Sequence, residues 1–329
     1  MIPLPNTRPL RPFFVTAMTG WVALAAAGAV YARQKGVEPA LAAPIIAAFL
    51  VEYLFYLVPG FEPARSWIET RLTKPRFSFA LWASALAPYL IYSTLTAAFD
   101  WRSILMLAAL TGAMSFWYTL LRPHPAADAA ILVLIATALL SKFFTFVYET
   151  PIPPVRIDIL GKLMLLRVAA MAMLSLRKVS RAGYGFVPNW FEIRIGVTFF
   201  LYFIPVGFPL ALAIGLIRFN LARNWFFVAV GTFFGILWVV ALLEEFLFRA
   251  LLQQWIKAWS GSRSFGLIAT SVVFGLCHLT YQAFPNWKFA AVAAVAGLFY
   301  GAAYERAGGI RAAMVTHALV VAVWRTLFA

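Results

Sequence analysis

The sequence predicts an all-α fold, a polytopic transmembrane helix bundle, and three observations carry that expectation. Hydrophobic residues make up 63% of the 329 positions and charged residues only 12%, about half the share of an ordinary soluble domain. Mean hydropathy is +0.85. Apolar runs recur along the whole chain, each near the ~20 residues that a helix needs to cross a bilayer.

Taken in order, about eleven runs qualify as spans. The first, about 13–32, follows Arg8 and Arg11 with no small-residue cleavage site before Arg33, and it reads as a span and not as a signal peptide. The next, about 40–58, carries an acid, Glu52, in "AFLVEYLFYLV". Those at about 77–98, 102–120 and 126–147 are separated by short polar breaks, one of which holds His124. The run at about 159–176 contains Lys162 and Arg167, and Arg167 is the candidate partner of Glu52. A long basic and aromatic break follows, "SLRKVSRAGYGFVPNWFEIRIG", whose Trp190 and Phe191 suit an interface. Beyond it lie runs at about 197–217, 225–257, 263–282, 288–304 and 310–328. Pro205 and Pro209 are expected to kink or break the first of these. Gly297 and Gly301 form a GxxxG pair suited to close helix packing. The long break suggests a division into an N-terminal bundle of about six spans, 1–190, and a C-terminal bundle, 191–329.

The net charge of +15 is the kind that membrane proteins carry as topology anchors near anionic lipid, so it does not point to nucleic acid. More Lys and Arg fall in the breaks on the side of the N-terminus, Arg8, Arg11, Arg177 and Arg181 among them, which favours a cytoplasmic N-terminus in a bacterial-type plasma membrane. Cys277 is the one cysteine, so no internal disulfide forms.

Ionisable residues inside a membrane cost at least ~2.5–3.5 kcal/mol each and usually mark function. Here they gather in the last hundred residues: Glu244, Glu245 and Arg249 in "EEFLFR", His278 in "FGLCH", and His317 in "MVTHALVV". At ~1.5 Å per residue, Glu244 lies about 20 Å from Lys257, His278 about 22 Å from Arg263 and His317 about 9 Å from Arg311, which places all three in one leaflet. Glu245 and Arg249 stand four apart in the order that favours a helical ion pair. Glu244 is turned ~100° away and is left as a free carboxylate suited to general-base work. One carboxylate with two imidazoles can activate water for hydrolysis, or hold a divalent metal. No HExxH run is present. Cys277 and His278, being adjacent, do not face each other as nucleophile and base.

"EEFLFR" (244–249) resembles the EExxxR motif of the CPBP family, the CAAX proteases and bacteriocin-processing enzymes. "FGLCH" (274–278) resembles its FxxxH motif, and "GLFYGAAYERAGGIRAAMVTHALVV" (297–321) its third conserved region. The similarity spans roughly 197–328. The long extension ahead of it is reminiscent of the exosortase-associated CAAX protease-related proteins. The resemblance implies a glutamate-dependent intramembrane endopeptidase in which Glu244 activates water with His278, Glu245 and Arg249 support the site, and His317 serves the oxyanion. Phe274 packs or shapes the site. No cofactor is implied, a metal stays open, and the expected partners are the lipid bilayer and a membrane-associated, prenylated or sorting-signal peptide or protein. Val321 departs from the family, many members of which carry Asn or Asp four residues after the last histidine; valine offers no hydrogen-bond donor. That departure supports a rival reading, a non-catalytic membrane factor that binds a peptide or partner protein.

Overall fold

The computed structural model describes residues 10–150, 155–180 and 182–328. They form two compact units, one reaching to Val179 and one from Ser180; the break thus comes eleven residues before the 190/191 division read from the sequence. Arg8 and Arg181, counted above as flanking charges, lie outside the described residues.

The first unit contains α1 (Arg11–Gln34), α2 (Pro39–Leu57), α3 (Glu62–Arg71), α4 (Lys74–Leu95), α5 (Trp101–Leu120), α6 (Pro125–Leu140), α7 (Phe143–Val147) and α8 (Asp158–Leu176). Its centre is α8, packed against α2, α4 and α5 and the most buried of the membrane-length helices. The second unit contains α9 (Trp190–Ala213), α10 (Trp225–Ser260), α11 (Arg263–Cys277), α12 (Trp287–Ala307) and α13 (Ile310–Leu327). Here α13 takes the central place, against α9, α10 and α12, while α12 also packs on α11 and α9.

Among the described residues, eight helices are long and apolar enough to cross a membrane. The other three expected spans differ for local reasons. Helix α4 is long but less apolar, because Ser, Tyr and Trp dilute it. The expected span 126–147 stops at Leu140, where Lys142 adopts a left-handed backbone (φ +58°) and separates α6 from the short α7. The expected span 263–282 ends at Cys277. Pro205 and Pro209 do not divide α9, which runs on through both. It also starts before 197: Asn189 accepts from the Glu192 amide at 3.0 Å and Glu192 accepts from the Asn189 amide at 2.7 Å, a reciprocal cap that makes Trp190 and Phe191 the first turn of the helix.

The first unit is held by a buried ion pair. Arg167 donates from Nε and Nη2 to the two carboxylate oxygens of Glu52, at 2.9 and 3.1 Å, and from Nη1 to Ser84 Oγ at 2.8 Å. Its guanidinium also lies 5.0 Å over the Phe55 ring. Acid and cation are fully or almost fully buried, so the two expensive charges neutralise each other and the fork of donors is filled. Asp128 accepts from Arg177 at 2.9 Å through both oxygens and from the Tyr118 hydroxyl at 2.7 Å.

In the second unit the small faces do the close packing. A Cβ on Gly301 would stand 2.4 Å from Leu267 and 2.6 Å from Gln253, and one on Gly297 would touch Ser271, so the GxxxG pair admits α11 and α10 to α12. Gly308 ends α12 at φ +73°. Gly309 follows so close to Gly183 that a Cβ there would lie 3.0 Å from its Cα, and the Ile310 amide donates to the Ala182 carbonyl at 3.1 Å.

Glu52→Gln leaves Arg167 buried without its counter-charge and is expected to cost about 3–5 kcal/mol of stability. The double variant Glu52→Leu, Arg167→Leu is expected to recover most of it. Thermal unfolding of the three proteins in one detergent checks this; equal melting temperatures for the single and double variants would show that the pair is not the source.

Candidate active site

Helix α10 is 36 residues long and not uniformly wound. Ile236–Ala241 and Phe246–Gln253 are π-helical, and between them stands a single α-helical turn, Leu242–Glu245. Wide turns of this kind concentrate at functional sites because they re-aim side chains. The turn between them carries both glutamates.

Glu245 and Arg249 are wholly buried, and Arg249 Nε donates to Glu245 Oε2 at 3.0 Å. The predicted pair therefore forms. Glu245 also takes a partner the sequence did not indicate: its Oε1 lies 2.8 Å from His317 Nδ1 on α13. A carboxylate held ionised by Arg249 can only accept, so His317 donates from Nδ1 and its Nε2 is left for other work. That nitrogen stands 3.9 Å from Glu244 Oε2. Glu244 is about a quarter exposed, and its Oε2 is buried with no hydrogen-bond partner in the protein. So one imidazole lies between two adjacent carboxylates, bonded to the first and facing the second.

Aromatic rings fix the histidines. His317 stacks on Tyr300 of α12, with centroids 4.6 Å apart and planes at 12°. Phe274 touches His278 at 4.6 Å and His317 at 6.1 Å, and Arg249 lies 5.2 Å over its ring. Phe274 is buried and in contact with both imidazoles. His278 donates from Nδ1 to the Phe274 carbonyl at 2.7 Å, which leaves Nε2 as an acceptor.

The position of His278 corrects the expected end of the run 263–282. It lies just beyond Cys277, the last residue of α11, at the end of that helix remote from Arg263. A tight turn follows: the Asn286 amide donates to the Leu279 carbonyl at 2.9 Å, and Asn286 then caps α12. His278 and His317 line one cavity of about 70 Å³, mostly apolar, together with Phe274, Tyr300 and Val321. Val321 therefore faces the site without a donor to offer. No hydrogen bond or ion pair joins Glu244 to His278; the two histidines are brought together through Phe274.

Three functional neighbours escaped the sequence reading. Tyr300 backs His317; its signal was its place inside the GxxxG pair, three residues after Gly297. Glu305, in the "YER" turn, accepts from Lys257 at 3.2 Å, Arg263 at 2.9 Å, and Gln253 and Gln254 at 3.2 and 3.1 Å. Gln253, fully buried, also donates to the Gly301 carbonyl at 3.4 Å. Together these two tie α12 to the far end of α10 and to α11. Among the described residues no three His, Cys, Asp or Glu side chains gather as a metal-ligand set, and Cys277 is a free thiol.

Fold and site together define a class: an integral, multi-pass helical membrane protein with a carboxylate–imidazole centre in its C-terminal bundle. Residues 224–323 match the family "Type II CAAX prenyl endopeptidase Rce1-like". The matched segment holds both glutamates, Arg249 and both site histidines, and the chain ahead of it lies outside the match. No curated protein and no solved structure matches the chain.

The two glutamates are expected to differ in what they do for stability. Glu245→Gln strands Arg249 in the interior and should cost about 3–5 kcal/mol. Glu244→Gln removes a carboxylate that has no bonded partner and should change stability by less than about 1 kcal/mol. Chemical or thermal unfolding of both variants decides it; similar losses would contradict the division of roles.

Proposed function

We propose that this chain is an intramembrane endopeptidase in which Glu244 is the general base that activates water. The observation that carries the reading is the Glu244 carboxylate, whose buried Oε2 has no hydrogen-bond partner, beside His317 Nε2, while Glu245 holds the other nitrogen of the same ring. A group with a ready structural partner is poorly placed to move protons. Glu245 has two such partners and Glu244 has none.

In this mechanism a water lies between Glu244 and the acceptor nitrogen of His278. Glu244 takes one of its protons as the water oxygen bonds to the scissile carbonyl carbon, and the carbonyl π pair moves onto oxygen. His317, carrying a proton on Nε2, donates to that oxyanion. Collapse of the tetrahedral centre breaks the C–N bond, and the proton held by Glu244 passes to the leaving amine. The products are a carboxylic acid and an amine, with no covalent enzyme intermediate. Glu245, Arg249, Tyr300 and Phe274 position these groups. The Rce1-like match supports proteolysis; the water-activating role of Glu244, the role of His278 and the choice of a prenylated or sorting-signal substrate belong to this proposal. The setting we adopt is a bacterial-type plasma membrane with the N-terminus cytoplasmic, because that orientation keeps the larger share of Lys and Arg inside.

Val321 favours the rival reading, a peptide-binding membrane factor without hydrolysis, since one oxyanion donor is worth ~2.7–4 kcal/mol. Reconstitution decides between them. Glu244→Gln is expected to lower processing of a substrate, identified by comparing membrane and secreted proteins with and without the gene, by at least about 10²-fold at unchanged abundance. Processing that survives the substitution gives the site to the rival. Val321→Asn is expected to raise turnover, and it leaves a non-catalytic binder unchanged. Turnover that persists in the presence of a chelator separates both from a metal-dependent hydrolase.

A further inference from the structure

The cavity beside the histidines runs along its helices toward one end of the second unit. On α13 its lining passes from His317 to Trp324, and on α12 from Tyr300 to Phe289; Ile217, after α9, closes the same end. Each of these end residues has a cation next to it in sequence: Arg218 beside Ile217, Lys288 beside Phe289 and Arg325 beside Trp324. All three are exposed, as is Arg223.

Backbone contacts gather them. The amides of Asn220 and Ala222 donate to the carbonyls of Leu327 and Thr326, at 2.8 and 2.9 Å, so the segment carrying Arg218 and Arg223 lies along the end of α13. Lys288 Nζ comes within 3.8 Å of where a Cβ on Gly215 would be, and Phe289 meets Trp324 at 5.1 Å. The cations thus form a rim at the end of the second unit where the cavity's lining stops.

That rim is uncompensated. The second unit has four acidic residues, Glu192, Glu244, Glu245 and Glu305. Glu192 binds Arg311, Glu305 binds Lys257 and Arg263 at the other end, and the remaining two are in the site. Among the described residues none of the four rim cations has an ion pair or side-chain hydrogen bond. In the orientation adopted above this is the non-cytoplasmic end, where topology does not call for positive charge. An apolar cavity beside an unpaired cationic rim suits a chain that is apolar where it is cut and anionic beyond.

We propose that Arg218, Lys288 and Arg325, with Arg223, bind a carboxylate of the substrate peptide, about four to five residues from the bond that is cut. The spacing follows from His317 to Arg325 and from Tyr300 to Lys288, about 12 and 18 Å along the helices, against ~3.3 Å per residue of extended chain. The carboxylate comes from an acidic side chain or from the chain terminus; both present the same anion to a guanidinium or ammonium. This specificity rests on the peptidase reading of the site but is measured without it.

The full chain carrying Glu244→Gln, in phosphatidylcholine nanodiscs, is titrated with fluorescent apolar peptides. One ends in two Asp residues and an amide, one in two Asn residues and a free carboxylate, and one in two Asn residues and an amide. Either anionic peptide should bind at least about 10-fold tighter than the neutral one, and the gap should close as salt is raised. Which anionic peptide gains names the source of the carboxylate. Arg218→Gln, Lys288→Gln, Arg325→Gln together should abolish the gap, and the salt titration needs no variant if that protein misfolds. Equal binding of all three peptides overturns the proposal, as does a gap that the triple variant keeps. A triple variant that loses only association with phosphatidylglycerol discs makes the rim a lipid anchor and overturns it too. Because binding is read on a protein that does not hydrolyse, a failed hydrolysis assay leaves this result intact.

Discussion

A carboxylate with no exposed surface governs the second unit. Glu245 receives Arg249 from its own helix and His317 from α13. Each of the three is costly to bury alone; together they satisfy one another, and the charge of the arginine stays inside the protein and not in lipid. The consequence is positional. Helix α13, the central helix, is fixed in rotation and height against α10 by one short hydrogen bond, and Tyr300 and Phe274 then hold the imidazole plane. Glu244 inherits its place from this arrangement. Its neighbour is bound, so the chain must present the next side chain around the helix to the remaining nitrogen.

The first unit solves the same problem with different parts. Glu52 and Arg167 come from distant helices and close a forked pair with Ser84 as third partner. Every donor there that the geometry offers to the carboxylate is used, and the result is a clamp between α2, α4 and α8. In the second unit the match is incomplete: Nη1 and Nη2 of Arg249 and Oε2 of Glu244 have no protein partner. Buried polar atoms without partners are expensive; those of the first unit, Ser93, Ser115, Tyr148 and Ser175 among the described residues, are hydroxyls and not charged groups.

Much of this was legible in the sequence. Charge is so rare in the apolar runs that Glu52, Arg167, Glu244, Glu245, Arg249, His278 and His317 stand out unaided, and the i, i+4 spacing of Glu245 and Arg249 gives their pair directly. What hydropathy could not mark were helix ends. "HLTYQAFPNW" holds no Lys, Arg, Asp or Glu to mark a break, so a span drawn into it absorbed His278. The cap that starts α9 at Trp190 lies in a basic, aromatic stretch whose composition suits an interface equally well. The π-helical turns of α10 leave no residue signature, since Leu, Phe and Ala suit either winding, and the ties of Tyr300 and Glu305 depend on helix order that no local pattern encodes.

Phe274 has a further consequence. Its ring stands in contact with His278 on one side and His317 on another, while a guanidinium lies over it. A phenyl ring conducts no protons and admits no water. The two imidazoles therefore share a wall and meet only across the cavity that both line. One apolar ring thus sets the place of both imidazoles while keeping them from bonding to each other.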